Sequence, residues 1–203
     1  MRRWILRLLL LSLATLAAAV WLTRPRADGP EVLSGLTGDA AAGEMIFTAA
    51  GCTACHMAEG ATGAAQRVLS GGQVFASPYG SFTAPNISQD KEAGIGIWEA
   101  IDLWNALHYG TSPEGQHYYP AFPYASYTRM TQKQVVDLYA FLQTLPADAT
   151  PSRPHDLPFV FSIRAALGGW KLLFLRDAWV MQGQLSGEEE RGRVLAEALG
   201  HCG

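Results

Sequence analysis

An all-α domain behind an N-terminal apolar helix is the fold class that this 203-residue sequence predicts. Three observations carry that expectation. Apolar residues recur at helical spacing over 98–109 and again from Thr131 to Pro146; no stretch shows strand-like alternation; and an apolar run from Leu8 to Thr23 dominates the first 27 residues. Composition agrees with a folded chain, since 49% hydrophobic and 16% charged residues with a net charge of −3 exclude a disordered or collagen-like protein. Nucleic-acid binding is excluded too, because 15 Lys and Arg do not outnumber 18 Asp and Glu and no segment gathers cations into a stripe.

Residues 1–27 read as an export signal or a membrane anchor. Arg2, Arg3 and Arg7 precede an apolar run from Leu8 to Thr23 that is interrupted only by Ser12 and Thr15, and Arg24-Pro25-Arg26 follows. A cleavable signal should end in a small-x-small site, but Ala17-x-Ala19 lies inside the run and a cut before Asp28 would put Pro25 at −3. An uncleaved anchor is therefore preferred. If Arg7 snorkels, the stretch Trp4–Thr23 reaches the length of about 20 residues that a span needs. The basic N-terminus stays on the cytoplasmic side, so the remaining chain faces the exported side.

A first helix is expected between Thr37 and Ala50, entered near Asp39 and stopped by Gly51. Residues 58–96 are rich in turn formers and lack periodicity, which predicts a long loop of the kind that wraps something. Trp98, Ile101, Trp104 and Leu107 then mark one face of a helix ending at Gly110. After a loop with Pro113, Pro120 and Pro123, Thr131-Gln-Lys-Gln134 matches a capping box, and Val135, Leu138, Phe141 and Leu142 continue one apolar face. These elements make one domain over 28–147. Residues 148–186, with Pro151, Pro154 and Pro158 followed by Trp170 and Phe174, read as a connector with an apolar hook that covers the first domain, a partner or the membrane.

The chemistry is concentrated in Cys52-Thr53-Ala54-Cys55-His56. Positions i, i+3 and i+4 share one face of a helical turn, so the two thiols can form thioether bonds to the two vinyl groups of one haem while His56 places a ring nitrogen under the iron. A thioredoxin-type dithiol would need a βαβ setting, and a zinc site a second ligand pair in a different order. A six-coordinate iron also needs a distal ligand. Met130 is the first choice, because the chain has had room to pass round the haem before the last helix and a thioether raises the potential. Met130 also stands where a hydrophobic staple onto Val135 is expected. His117 is the runner-up, His155 is a further candidate, His108 reads as a core histidine beside Trp104, and Met57 is too close to His56. Asn86 is a candidate donor to a haem propionate, and Trp98, after Gly94-Ile-Gly96-Ile, is a candidate for the haem edge.

Near the end, Gly192-Arg-Val-Leu-Ala-Glu-Ala-Leu-Gly200 repeats the pattern of Gly43-Glu-Met-Ile-Phe-Thr-Ala-Ala-Gly51, and each is followed by a cysteine. Residues 187–203 therefore read as the start of a second, truncated domain of the same kind. A second haem is expected only in a longer chain.

With these motifs the chain resembles the membrane-anchored mono- and dihaem c-type cytochrome subunits of periplasmic alcohol, aldehyde and similar dehydrogenases. The resemblance runs from Gly38 to the end, over Gly43-Glu44 through His56, Ser70-Gly-Gly, Ala84-Pro-Asn86-Ile87, Gly94-Ile-Gly96-Ile-Trp98, Tyr119-Pro-Ala-Phe-Pro-Tyr124-Ala-Ser-Tyr127 and Arg153-Pro-His155-Asp156-Leu-Pro158. It implies a cytochrome c-like domain wrapped around covalent haem c. It also implies electron transfer from a dehydrogenase partner towards quinone or a terminal oxidase, at the periplasmic face of the cytoplasmic membrane, by a carrier and not an enzyme. Many members have methionine where this chain has Phe122, and the resemblance implies that this methionine is their distal ligand. That departure leaves Met130 to be argued on position, and it keeps open an alternative: a haem enzyme such as a peroxidase or sulfur-compound dehydrogenase, with an open or replaceable sixth position on the iron.

Overall fold

A computed structural model describes residues 2–202; Met1, the first residue of the expected anchor, and Gly203, the last residue of the expected truncated second domain, lie outside the described residues. The apolar N-terminus is one helix, α1 (Arg2–Thr23), with no residue buried against the rest of the protein. Its 22 residues rise about 33 Å, enough to cross a bilayer. Trp4 and Trp21 stand near its two ends, beneath Arg7 and Arg24 respectively.

Three further helices build the core. In α2 (Ala40–Ala49), Asp39 caps the first turn by accepting from the Ala41 and Ala42 amides. Helix α4 (Ala100–Tyr109) begins in a box between Glu99 and Asp102 and ends at Gly110 in a left-handed conformation. The expected Thr131/Gln134 box opens α6 (Gln132–Leu142). Helices α2 and α6 cross at Gly43, where a Cβ would stand 2.0 Å from the Asp137 carbonyl oxygen. Phe47 and Phe141 pack beside this crossing with ring centroids 5.1 Å apart. Asp137, itself buried, accepts from the Asp39 amide at 2.7 Å, which ties the start of α2 to the middle of α6.

The all-α expectation holds for the fold as a whole, with one correction inside the long loop. Val74–Ser77 (β1) and Gly80–Thr83 (β2) pair as an antiparallel hairpin, extended at Ser81 by a bridge to Asp156. Strands of four residues with an exposed first member carry too little alternation to be read from sequence. After the core, residues 148–156 run back along this loop, followed by two short helices, α7 (Phe159–Ser162) and α8 (Ala166–Phe174). Helix α9 (Gly187–Arg193) continues into a π-helical turn over Val194–Leu199, and Ala198 and Leu199 join the core. The repeated pattern is thus a helix at both of its occurrences.

The candidate haem-attachment site

Gly51, with φ of 66°, ends α2 in the left-handed region and turns the chain at once into α3 (Cys52–His56), a single helical turn. Cys52, Cys55 and His56 therefore share one face. Cys52 packs against the apolar core while Cys55 is exposed. Burial pushes the Cys52 thiol up to about 12 and raises that of Cys55 as well. A redox-active dithiol needs the opposite shift, so burial disfavours thiol exchange at this pair.

His56 is oriented by the loop that faces it. Its Nδ1 lies 2.9 Å from the Pro85 carbonyl oxygen. A carbonyl only accepts, so Nδ1 carries the proton and Nε2 keeps its lone pair, the arrangement that prepares an imidazole for iron. Burial lowers the His56 pKa and favours the same neutral form. Pro85 is fixed from both sides. Gly71, at φ of 72°, lies so close that a Cβ would be 2.5 Å from the Pro85 carbonyl, and its amide donates to the His56 carbonyl at 2.7 Å. Gln73 Nε2 donates to the carbonyls of Ala54 and Met57, covering the otherwise open end of α3.

Asn86 is buried beside Pro85, and its contacts correct its expected role. Nδ2 donates to the Asp148 and Thr150 carbonyls at 2.7 and 2.8 Å, and Oδ1 accepts from the Ser88 amide. Both amide hydrogens are engaged, which leaves none for a propionate. The side chain instead pins the 84–88 loop, and with it the Pro85 carbonyl, to the 148–152 segment. Trp98 is half-buried against the core, its carbonyl accepting from Tyr139 Oη.

Met130 is 3% exposed and belongs to the same apolar cluster as Ala50, Leu69 and Tyr127, against which Cys52 packs. Val135, the residue onto which a staple is expected, belongs to that cluster too. The candidate histidines are engaged elsewhere. His117 Nε2 is 2.9 Å from the Thr23 carbonyl at the end of α1, His108 stacks on Trp104 at 4.3 Å, and His155 Nδ1 accepts from the Thr83 amide.

Sequence reasoning missed Tyr127 as a site residue. Its hydroxyl donates to the Ala50 carbonyl at 3.0 Å and lies 2.7 Å from His201 Nε2. With its one hydrogen committed to Ala50, the phenol oxygen accepts from a protonated Nε2. Burial first, and then the nearby Cys52 and Cys55, raise the phenol pKa, so Tyr127 stands at the cysteine pair as a neutral donor. The C-terminal segment thereby reaches the haem-attachment turn. Only the aromatic motif in which Tyr127 lies signalled it.

Residues 40–146 match the cytochrome c family. The chain is 52% identical over its whole length to a diheme cytochrome c-type protein of Cereibacter sphaeroides, of which it spans 69%. It is 38% identical to the fructose dehydrogenase cytochrome subunit of Gluconobacter japonicus, and 34% identical to the gluconate 2-dehydrogenase cytochrome c subunit of Pantoea cypripedii. Each of these two matches covers 79% of this chain but only 33% and 36% of the respective relative. Phe122, where the resemblance leads one to expect methionine, packs its ring 5.8 Å from that of Tyr127.

Proposed function

The chain belongs to the cytochrome c family, whose cofactor is covalently bound haem c, and from that premise we propose that it is the electron-carrying subunit of a membrane-bound dehydrogenase complex. Loaded with one haem, such a subunit would take electrons from a partner dehydrogenase and pass them towards quinone or a terminal oxidase. Cys52 and Cys55 would hold the haem, and His56 and Met130 would supply the ligands to its iron. Residues 1–27 anchor the protein with its domain on the periplasmic side. Residues 28–147 form the haem domain, 148–186 the connector and 187–203 the opening of a second haem domain.

The hydrogen bond from His56 Nδ1 to Pro85 carries this reading, because it presents the other ring nitrogen as a ligand. The relatives' names support the dehydrogenase partner. Bound haem supplies the Fe(III)/Fe(II) couple. The protein's own part is to fix geometry and exclude water. Asn86 and Gly71 hold the Pro85 carbonyl, that carbonyl holds the His56 ring, and Trp98 shields one edge of the site. The apolar cluster around Met130 keeps a neutral thioether dry, which favours the reduced state and raises the potential.

Absorption spectroscopy of the matured chain tests the ligand set. One haem of added mass, a low-spin oxidised spectrum and a methionine-to-iron charge-transfer band are expected, and Met130→Ala should abolish the band and lower the potential. Persistence of the band in Met130→Ala refutes that ligand. A high-spin wild-type spectrum that shifts with added small ligands would instead favour a haem enzyme with an open sixth position.

A further inference from the structure

The end of α1 is built into the domain and is not joined to it by a free tether. The Thr23 carbonyl is held by His117 Nε2, and Gly168 of α8 lies so close that a Cβ would be 1.9 Å from that carbonyl oxygen. Five residues on, Asp28 takes hydrogen bonds from Trp104 Nε1 at 2.8 Å and from Tyr109 Oη at 3.1 Å, while its main chain pairs with the Asn105 amide. Helix α8 is clipped to the same place, since Lys171 Nζ donates to the Tyr109 and Gly110 carbonyls that close α4, 2.7 Å from each. The membrane helix, α4 and α8 are thus fixed to one another at the level of Thr23.

Helices α7 and α8 display apolar side chains that the domain does not cover. Phe159 is 81% exposed and Val160 64% in α7, and Leu173 is 65% and Phe174 61% in α8. Cations line the neighbouring junction of α1 and α8. A cavity of ≈ 270 Å³ at the junction is lined by Leu22, Arg24, Arg26, Lys171 and Arg176, with Asp177 the one carboxylate on its wall. Large apolar side chains flanked by Lys and Arg are the composition of a segment lying in a bilayer interface. Trp21, beneath Arg24, marks the same boundary on α1.

We infer that α7 and α8 form a second membrane contact, lying in the outer interface of the bilayer that α1 spans. Phe159, Val160, Leu173 and Phe174 enter the acyl boundary, and Arg24, Arg26 and Arg176, all exposed, face the phosphodiesters of anionic lipids. The inference rests on the reading of α1 as an uncleaved anchor. It adds that the domain sits at one orientation to the membrane, with the haem site held off the surface by a rigid joint.

Single nitroxide labels on the full-length haem-loaded protein test this, in a Cys202→Ser background and in phosphatidylcholine vesicles with or without phosphatidylglycerol. Labels replace Val160, Phe174, Leu13 of the anchor and Gly183 as an exposed control, and haem absorbance confirms that each variant folds. Collision rates with oxygen and with a water-soluble nickel complex should put 160 and 174 about 5–10 Å into the headgroup–acyl boundary, deeper when phosphatidylglycerol is present. Gly183 should report water. If 160 and 174 match 183 while Leu13 lies in lipid, the interface contact is refuted and the anchor stands; that is also the outcome if a protein partner covers the patch. A Leu13 label outside the lipid overturns both readings.

Discussion

The Tyr127 hydroxyl links three parts of the chain that are far apart in sequence: the end of α2 at Ala50, its own short helix α5 (Tyr124–Tyr127), and the C-terminal His201. Removing it leaves a buried carbonyl without its donor and an imidazole N–H without its acceptor. Tyr127→Phe should therefore lower stability by about 1–2 kcal/mol, read from urea unfolding monitored at the haem band. It should leave the ligand set intact, because the phenol ligates nothing. An unchanged urea midpoint would show that water replaces both bonds at no cost. At this scale the sequence was legible where the chemistry is local. Cys52, Cys55 and His56 announce themselves by spacing alone. Pro85 and Tyr127 do not, because what each contributes is a contact across 29 or 77 positions.

Between elements, the α2–α6 crossing turns on the lack of a side chain at Gly43, with the Asp137 carbonyl and the Phe141 Cβ occupying that space. Backbone cannot yield as a flexible side chain does, so Gly43→Val should separate the helices and cost about 3 kcal/mol, the upper end for overpacking. The measurement is thermal unfolding of the haem-loaded protein, and a melting temperature within a degree of wild type would contradict the close crossing. The helices themselves were largely readable beforehand. Asp39, the Thr131/Gln134 box and Gly110 set their ends through interactions within a turn, which sequence records directly. The hairpin over 74–83 was not readable, since its stability depends on Asp156, supplied from beyond the last core helix. Asn86 was misread for the same reason: its partners at 148 and 150 become visible only once the chain has folded back.

For the molecule as a whole, the titrating groups impose a common pH dependence. Burial lowers the pKa of His108, His117, His155 and His201, with Lys171 adding to the effect at His117 and Arg164 at His155. Each folded value lies below the unfolded one of about 6.5, so below that pH the unfolded chain binds more protons and stability falls as acid is added. At the other end, burial raises the phenols of Tyr118, Tyr124 and Tyr127. The unfolded chain loses those protons first above about pH 10, and stability declines there too. Lys171 shapes the interval between. Burial lowers it to about 8, so between that value and its unfolded one near 10.4 the unfolded state holds the extra proton and stability still rises with pH. Urea midpoints in detergent at constant ionic strength should climb from pH 5, keep rising through pH 8, reach a maximum at about pH 10 and then fall. Lys171→Met removes the rising segment between 8 and 10 while leaving the acid limb in place, since the histidines other than His117 do not feel its charge. A maximum near pH 6, or an acid limb that disappears with Lys171, would mean that the histidines are not held neutral by burial.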